Sequence, residues 1–370
     1  MMKKIIYMIL AGIISQAVPA FADSGNILKF DYPLVLKAEA CGDSCALPQT
    51  SLSRSVPEGY DTVLVQGDMP DPDTSLFLVL PEETKNGGQS LYAPVKVHRT
   101  DEGRFWAKYE LPAVKTEALQ FKMNPKKSGE SVTLYGIEAF VYADRQEKGK
   151  ASVRGTVDPA WSVPKSSGLN IIYRAEWGAA APNGDFITHT PQKFTLHHTE
   201  AHYPETKEAA VKEMKFIQNY HQEGRGWVDI AYHFLIDPLG NIYEGRPVGV
   251  VGAHVANKNT NNVGISIMGC YHPPTNNVFT KATRNSLVKL GKYIKNTYKI
   301  PSKYFYGHRD LGATDCPGDN LYALLEGIRQ EIYSGTAAQD KAVEVDFDGD
   351  IEVTPAQKEA LEALTGMKFK

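Results

Sequence analysis

Three side chains in the C-terminal half of the chain are of the types that hold a metal ion: His197, His308 and Cys316. His197 ends the apolar run Phe194-Thr-Leu-His. His308 ends Tyr304-Phe-Tyr-Gly-His, and Cys316 follows in Ala313-Thr-Asp-Cys-Pro-Gly. Seven residues separate His308 from Cys316, enough for a loop to fold back onto the end of its own strand. Two imidazoles and one thiolate suit tetrahedral zinc, with the fourth position left to water. Zinc lowers the pKa of such a water toward about 7 and polarises a carbonyl held beside it, which is hydrolytic chemistry. Histidine and cysteine at strand ends are also ordinary core or surface residues, so spacing by itself leaves both readings open.

The chain that must position these groups has 370 residues, 42% hydrophobic and 22% charged. That is a globular composition, long enough for two domains with a core each. Lys plus Arg is 40 and Asp plus Glu is 43, a net charge of −3. This balance argues against a nucleic-acid partner. Residues 1–22 read as an export signal: Lys3 and Lys4, an apolar stretch Ile5–Ile14 too short to span a bilayer, then Ala20-Phe21-Ala22. Its removal takes the net charge to −5. No later segment approaches 18 apolar residues, so the expected product is periplasmic or extracellular with no stable membrane insertion.

Residues 23–142 carry recurring short runs, such as Asp61-Thr-Val-Leu-Val and Ser75-Leu-Phe-Leu-Val-Leu, between turn residues. They predict an all-β, sandwich-like accessory domain. Residues 143–168 are polar and rich in Pro and Ser and read as a linker. From 169 to 335 the pattern becomes mixed α/β. Val211, Met214, Ile217 and Tyr220, then Leu287, Leu290, Ile294 and Tyr298, then Leu321, Leu324 and Ile328 recur at helical spacing between strand-like runs. Residues 336–370 form an acidic tail with a short helix after Thr354-Pro355.

Seven words appear in order: Arg174-Ala-Glu-Trp-Gly-Ala, Leu196-His-His-Thr, Gly226-Trp-Val-Asp-Ile-Ala-Tyr-His-Phe, Tyr243-Glu-Gly-Arg, Gly252-Ala-His, Asn262-Val-Gly-Ile, and Gly307-His-Arg-Asp with Asp315-Cys-Pro-Gly. Over about Leu169 to Tyr333 the chain resembles the peptidoglycan recognition protein family, whose zinc members are N-acetylmuramoyl-L-alanine amidases. The resemblance implies an α/β amidase domain, with a central mixed β-sheet flanked by helices and zinc on the floor of a groove. It makes His197 the ligand rather than His198, and alternation along a strand agrees, since the two point to opposite faces. It places Tyr232 beside the metal, to hold the water or donate to an oxyanion, the alternative being a strand tyrosine filling core. Thr314 stands two residues before the cysteine, where the phage enzymes of this fold carry lysine. Tyr232 near its ordinary pKa of about 10 makes a poor general base.

The resemblance also puts Arg246 and His254 in the peptide groove, against a surface arginine and a structural histidine. Gly226-Trp227 matches the pair associated with diaminopimelate-type stem peptides. His233 should face away from Tyr232 and pack. The implied partner is peptidoglycan or muropeptides. Non-catalytic receptors on this fold typically lose a zinc ligand, most often the cysteine, and this chain keeps all three. A zinc peptidase acting within the stem peptide is excluded only by the resemblance.

Of the remaining cysteines, Cys41 and Cys45 flank a three-residue loop and predict a disulfide, while Cys270 reads as a buried free thiol. The run Glu344-Val-Asp-Phe-Asp-Gly-Asp-Ile-Glu begins a calcium-loop pattern but has Pro355 at its twelfth position, which favours a solvated acidic linker. Trp106 and Tyr109 are either sugar-stacking platforms or core aromatics.

Overall fold

The computed structural model describes residues 26–27, 33–38, 47–56, 58–81, 88–145 and 155–334. The export segment, Cys41, Cys45 and the acidic tail lie outside the described residues.

Among the described residues nine strands come first: β1 (Asn26–Ile27), β2 (Leu34–Lys37), β3 (Tyr60–Asp68), β4 (Ser75–Pro81), β5 (Gln89–Tyr92), β6 (Lys96–Arg99), β7 (Arg104–Lys115), β8 (Gln120–Asn124) and β9 (Ser131–Phe140). One sheet runs β1-β9-β3-β7-β6 with β2 also on β9, and a second runs β5-β4-β8. Their pairings are antiparallel, as short connections require. Alternation in sequence becomes alternation in space. Leu76, Leu78 and Leu80 of β4 and Phe121 and Met123 of β8 turn inward, onto Val63 and Val65 of β3 and Tyr109 of β7, as one buried cluster. The Tyr109 hydroxyl donates to the Leu76 carbonyl at 2.8 Å, inside that core.

The second unit holds β10 (Ile171–Ile172), α1 (Arg174–Trp177), β11 (Lys193–His198), α2 (Lys207–Asn219), β12 (Phe234–Ile236), β13 (Ile242–Glu244), β14 (Asn262–Ile267), α3 (Lys281–Tyr298), β15 (Phe305–Gly307), α4 (Asp319–Ala323) and α5 (Leu325–Tyr333). The sheet order is β10-β13-β12-β14-β11-β15, antiparallel at the β12–β13 hairpin and parallel elsewhere. Helices cover both faces. Phe194, Leu196, Val263 and Ile265 pack against Leu287, Leu290 and Ile294 of α3 and Ile328 of α5. On the other face Leu235 and Tyr243 meet Trp177 of α1 and Met214 and Ile217 of α2. Thr206 and Thr280 cap α2 and α3, accepting from the Ala209 and Thr283 amides at 3.1 and 3.0 Å. Among the described residues no helix is long and apolar enough to cross a membrane.

The stretch expected as a linker is, from residue 155 onward, packed on this second unit. Val163 is buried in the α3-side core, and Gly249 N–H donates to the Trp161 carbonyl at 2.8 Å. One buried valine among Ser, Pro and Lys anchors it, too sparse a signal to show as periodicity.

The two units meet across a mixed interface. Leu64, Trp106 and Phe140 cluster with Phe216 and Tyr220. Trp106 donates to Asn219 Oδ1 at 3.0 Å, and the Tyr220 hydroxyl donates to Glu138 Oε1 at 2.6 Å. Arg225 pairs with the same carboxylate. Trp106 and Tyr109 are both fully buried, so neither is a platform for sugars.

Candidate metal centre

Parallel pairing of β11 with β15 sets Leu196 opposite Gly307, which brings the next residues, His197 and His308, side by side at the sheet's end. Their ring centroids are 4.4 Å apart. The loop after His308 returns as its length allows: Arg309 N–H donates to the Cys316 carbonyl at 3.1 Å, and Arg309 Nη1 to Asp319 at 2.8 Å. Cys316 Sγ then lies 3.6 Å from His197 Nδ1 and accepts the His198 amide at 3.4 Å. The three groups are buried, with one ligand atom from each within 4.8 Å of the others. Two nitrogen donors and a sulfur, converging inside a low-dielectric pocket, fit a borderline-soft divalent ion in a three-ligand site.

The tautomer of His197 follows from its neighbours. His254 Nε2 faces the Asn262 carbonyl at 3.0 Å, which can only accept, so His254 carries its hydrogen there. His254 Nδ1 therefore accepts from His197 Nε2 at 2.9 Å, and His197 Nδ1 presents a lone pair toward the cysteine. Burial first, then the nearby His308 and His254, hold His197 neutral, far below its usual range. The His254 ring lies against two glycines: a Cβ on Gly264 would sit 2.6 Å from it, and one on Gly252 equally close. Gly252-Ala-His and Asn262-Val-Gly are thus halves of one cradle for the ring that orients His197.

Tyr232 is half-buried, its ring centroid 5.2 Å from that of His197. Burial first, and then the Cys316 sulfur, push its phenol well up, so it is a donor rather than a base. Thr314 lines the same cleft, and its hydroxyl accepts the Cys316 amide at 3.2 Å. His198 is buried, accepts the Tyr271 amide at 3.2 Å, and is pushed down to about 3 by burial. His233 is packed, bonded to the Val250 carbonyl and the Gly264 amide.

Arg246 is neither a groove residue nor a surface one. It is 1% exposed, and its guanidinium donates to the carbonyls of Ile230, Val251 and Asp229. A charge among backbone oxygens satisfies its own donors and cannot meet a stem-peptide carboxylate. It clamps the segment that carries Tyr232. Arg174 does the same from the other side, pairing with fully buried Asp229 at 2.7 Å, while Trp177 donates to the Glu244 carbonyl at 2.8 Å. His254 takes the structural role of its two alternatives. Gly226 sits at a φ of +74° and turns the chain, and Trp227 stacks on His221 at 5.1 Å beneath Arg225. Residues 220–224 form one π-turn after α2 and place His221 and Tyr220 in the cleft lining. Helical spacing reads Tyr220 as plain core of the α2 stripe, and His221, four residues after Ile217, falls on the same face, so neither carries a mark of the cleft in the sequence.

The model of the N-acetylmuramoyl-L-alanine amidase family matches residues 188–319. Peptidoglycan-recognition protein SC2 of Drosophila simulans is 38% identical over 157 residues, 42% of this chain and 84% of that protein. N-acetylmuramoyl-L-alanine amidase of Homo sapiens is 35% identical over 158 residues, 41% of this chain and 27% of the human protein. Among solved structures, peptidoglycan recognition protein-LE in complex with tracheal cytotoxin is 32% identical over 43% of this chain and 93% of its own, with a TM-score of 0.40. The span matched by the family model contains His197, His308 and Cys316. With 84% of the Drosophila simulans relative aligned at 38% identity, the chain belongs to the peptidoglycan recognition protein family.

Proposed function

We propose that this protein is an exported zinc amidase that hydrolyses the amide between N-acetylmuramic acid and the L-alanine of the stem peptide, favouring diaminopimelate-type peptidoglycan. The observation that carries this reading is the complete buried set His197, His308 and Cys316. The sequence likeness to a human N-acetylmuramoyl-L-alanine amidase supports the bond assigned. The diaminopimelate preference rests on Gly226-Trp227 alone. The division proposed is an all-β accessory domain over 23–142, a linker over 143–168 that packs on the next unit from residue 155 onward, the amidase domain over 169–335 and a tail over 336–370.

His197, His308 and Cys316 would hold zinc, which when bound supplies an activated water and polarises the scissile carbonyl. The chain's own groups do the rest. The carbonyl–His254–His197 relay fixes the direction of one ligand lone pair. Tyr232, its phenol pushed up from the ordinary value by burial and the Cys316 sulfur, offers its hydroxyl to charge growing on the carbonyl oxygen. Thr314, its hydroxyl already accepting the Cys316 amide, has its own hydrogen to give.

The test uses the full chain without its export segment, with diaminopimelate-type and lysine-type muropeptides, with and without chelator, and identifies products by mass. Metal-dependent release of the intact stem peptide, faster from the diaminopimelate type, is the expected result. Binding without cleavage would make the protein a receptor, and cuts within the peptide would make it a peptidase. A related expectation concerns the relay. His254→Ala and Gly264→Ala should each weaken zinc retention on dialysis by about 10- to 100-fold, the usual effect of losing a partner behind a ligand. Metal content per chain, measured against a graded chelator, reads this directly.

A further inference from the structure

The cleft beside the triad has walls from both units. Tyr232, Thr314 and Cys316 line one side, and Gln66, Tyr135 and Glu138 of the β unit line the other. The β-unit side is locally built for this. Along β3 and β9, Gln66 pairs with Gly136, but the next residue, Gly67, pairs with Leu134, so Tyr135 is the extra residue of a β-bulge. Bulges re-aim a side chain, and they gather beside binding sites. Gly67 makes this one possible, since a Cβ there would lie 1.9 Å from the Thr133 carbonyl oxygen.

The bulged tyrosine is then held on several sides. Its hydroxyl donates to Asp68. The Arg104 guanidinium lies 5.5 Å from its ring centroid. The same guanidinium donates to Gln66 Oε1 at 3.3 Å and to Glu213 Oε1 of α2 at 3.4 Å. Arg104 is buried, so the tyrosine, the glutamine and the helix bordering the cleft are tied through one interior cation. Tyr135 and Gln66 themselves remain half-buried. An aromatic ring and a carboxamide, both fixed in place, are suited to packing on and hydrogen-bonding a peptidoglycan fragment.

We propose that Tyr135 and Gln66 are specificity-determining contacts of the substrate cleft, so that the β unit is part of the binding site for the muropeptide. The proposal rests on the amidase reading above for its ligand. Steady-state cleavage of a soluble disaccharide-tetrapeptide by the zinc-loaded full chain tests it. Tyr135→Ala and Gln66→Ala should each raise KM roughly tenfold, with kcat within about twofold and zinc content unchanged. Tyr135→Phe, which keeps the ring, should stay within about threefold of wild-type KM. Val114→Ala, at an exposed position of β7, controls for nonspecific effects on the β unit. Wild-type KM in both alanine variants, with zinc retained, would overturn the proposal. So would an equal fall of kcat with unchanged KM. If the wild-type chain binds the fragment but does not cut it, the amidase reading fails and the wall is judged by Kd. A tenfold weaker Kd in Tyr135→Ala supports the wall, and an unchanged one sinks it.

Discussion

Cys316→Ala is expected to abolish amide cleavage, with a loss on the order of a thousandfold or more, and to purify with little zinc. The sulfur has three roles at this point. It completes the donor set, it lies 3.6 Å from His197 Nδ1, and it accepts the His198 amide at 3.4 Å. Alanine removes the only soft ligand and leaves two imidazoles, too few for a tight site. It also leaves the His198 amide unpaired, at a cost of about 1–3 kcal/mol. Circular dichroism and a melting curve should show a folded protein of modestly lower Tm. Cys316→Ser separates the two effects, because serine can accept the amide but is a poor neutral ligand. Near-wild-type cleavage by either variant, with the fold intact, would remove the triad from the mechanism.

Tyr232→Phe should lower kcat by about 10²- to 10³-fold with KM nearly unchanged, the pattern of an interaction made only in the transition state. The phenyl ring preserves packing against His197 at 5.2 Å and His221 at 6.0 Å, so the substitution isolates the hydroxyl. Burial and the cysteine sulfur hold the phenol protonated well above its ordinary range. Its loss should therefore depress the rate equally from neutral to mildly alkaline pH. A change confined to the alkaline limb would instead assign Tyr232 a titrating role. A fall in zinc content would make it part of the metal's support rather than a donor to substrate.

Much of the α/β unit was legible in the sequence because its information is local. Leu287, Leu290 and Ile294 mark the inner stripe of α3, and each lies in the core. His197 and His308 could be read as neighbours because both end apolar strands. Their burial beside Cys316 agrees with the expected loop return. What escaped depends on partners far along the chain. Nothing in Glu-Gly-Arg distinguishes a guanidinium aimed at a ligand from one sunk among the carbonyls of Ile230, Val251 and Asp229. Glycines at 252 and 264 imply something bulky pressed against the backbone, and the His254 ring is what presses there. Trp106 stays open between platform and core in the sequence because its covering, Phe216 and Tyr220, comes more than a hundred residues later. A bulge at Tyr135 leaves no mark in a hydropathy pattern. It is a property of the register between two strands, and only Gly67 records it.

The shared carboxylate of Glu138 bears on how freely the two halves of the chain could be recombined. It is 5% exposed, belongs to β9, and accepts from Tyr220 and Arg225 of the other unit. A buried cation deprived of such a partner costs several kcal/mol. The α/β unit therefore carries a requirement for one particular neighbour, and that neighbour carries a matching requirement in return. Joining the α/β unit to a different β unit would preserve chain continuity yet strand Arg225 at the lip of the cleft. In this respect the β unit is less an interchangeable attachment than a fitted counterpart of the α/β unit.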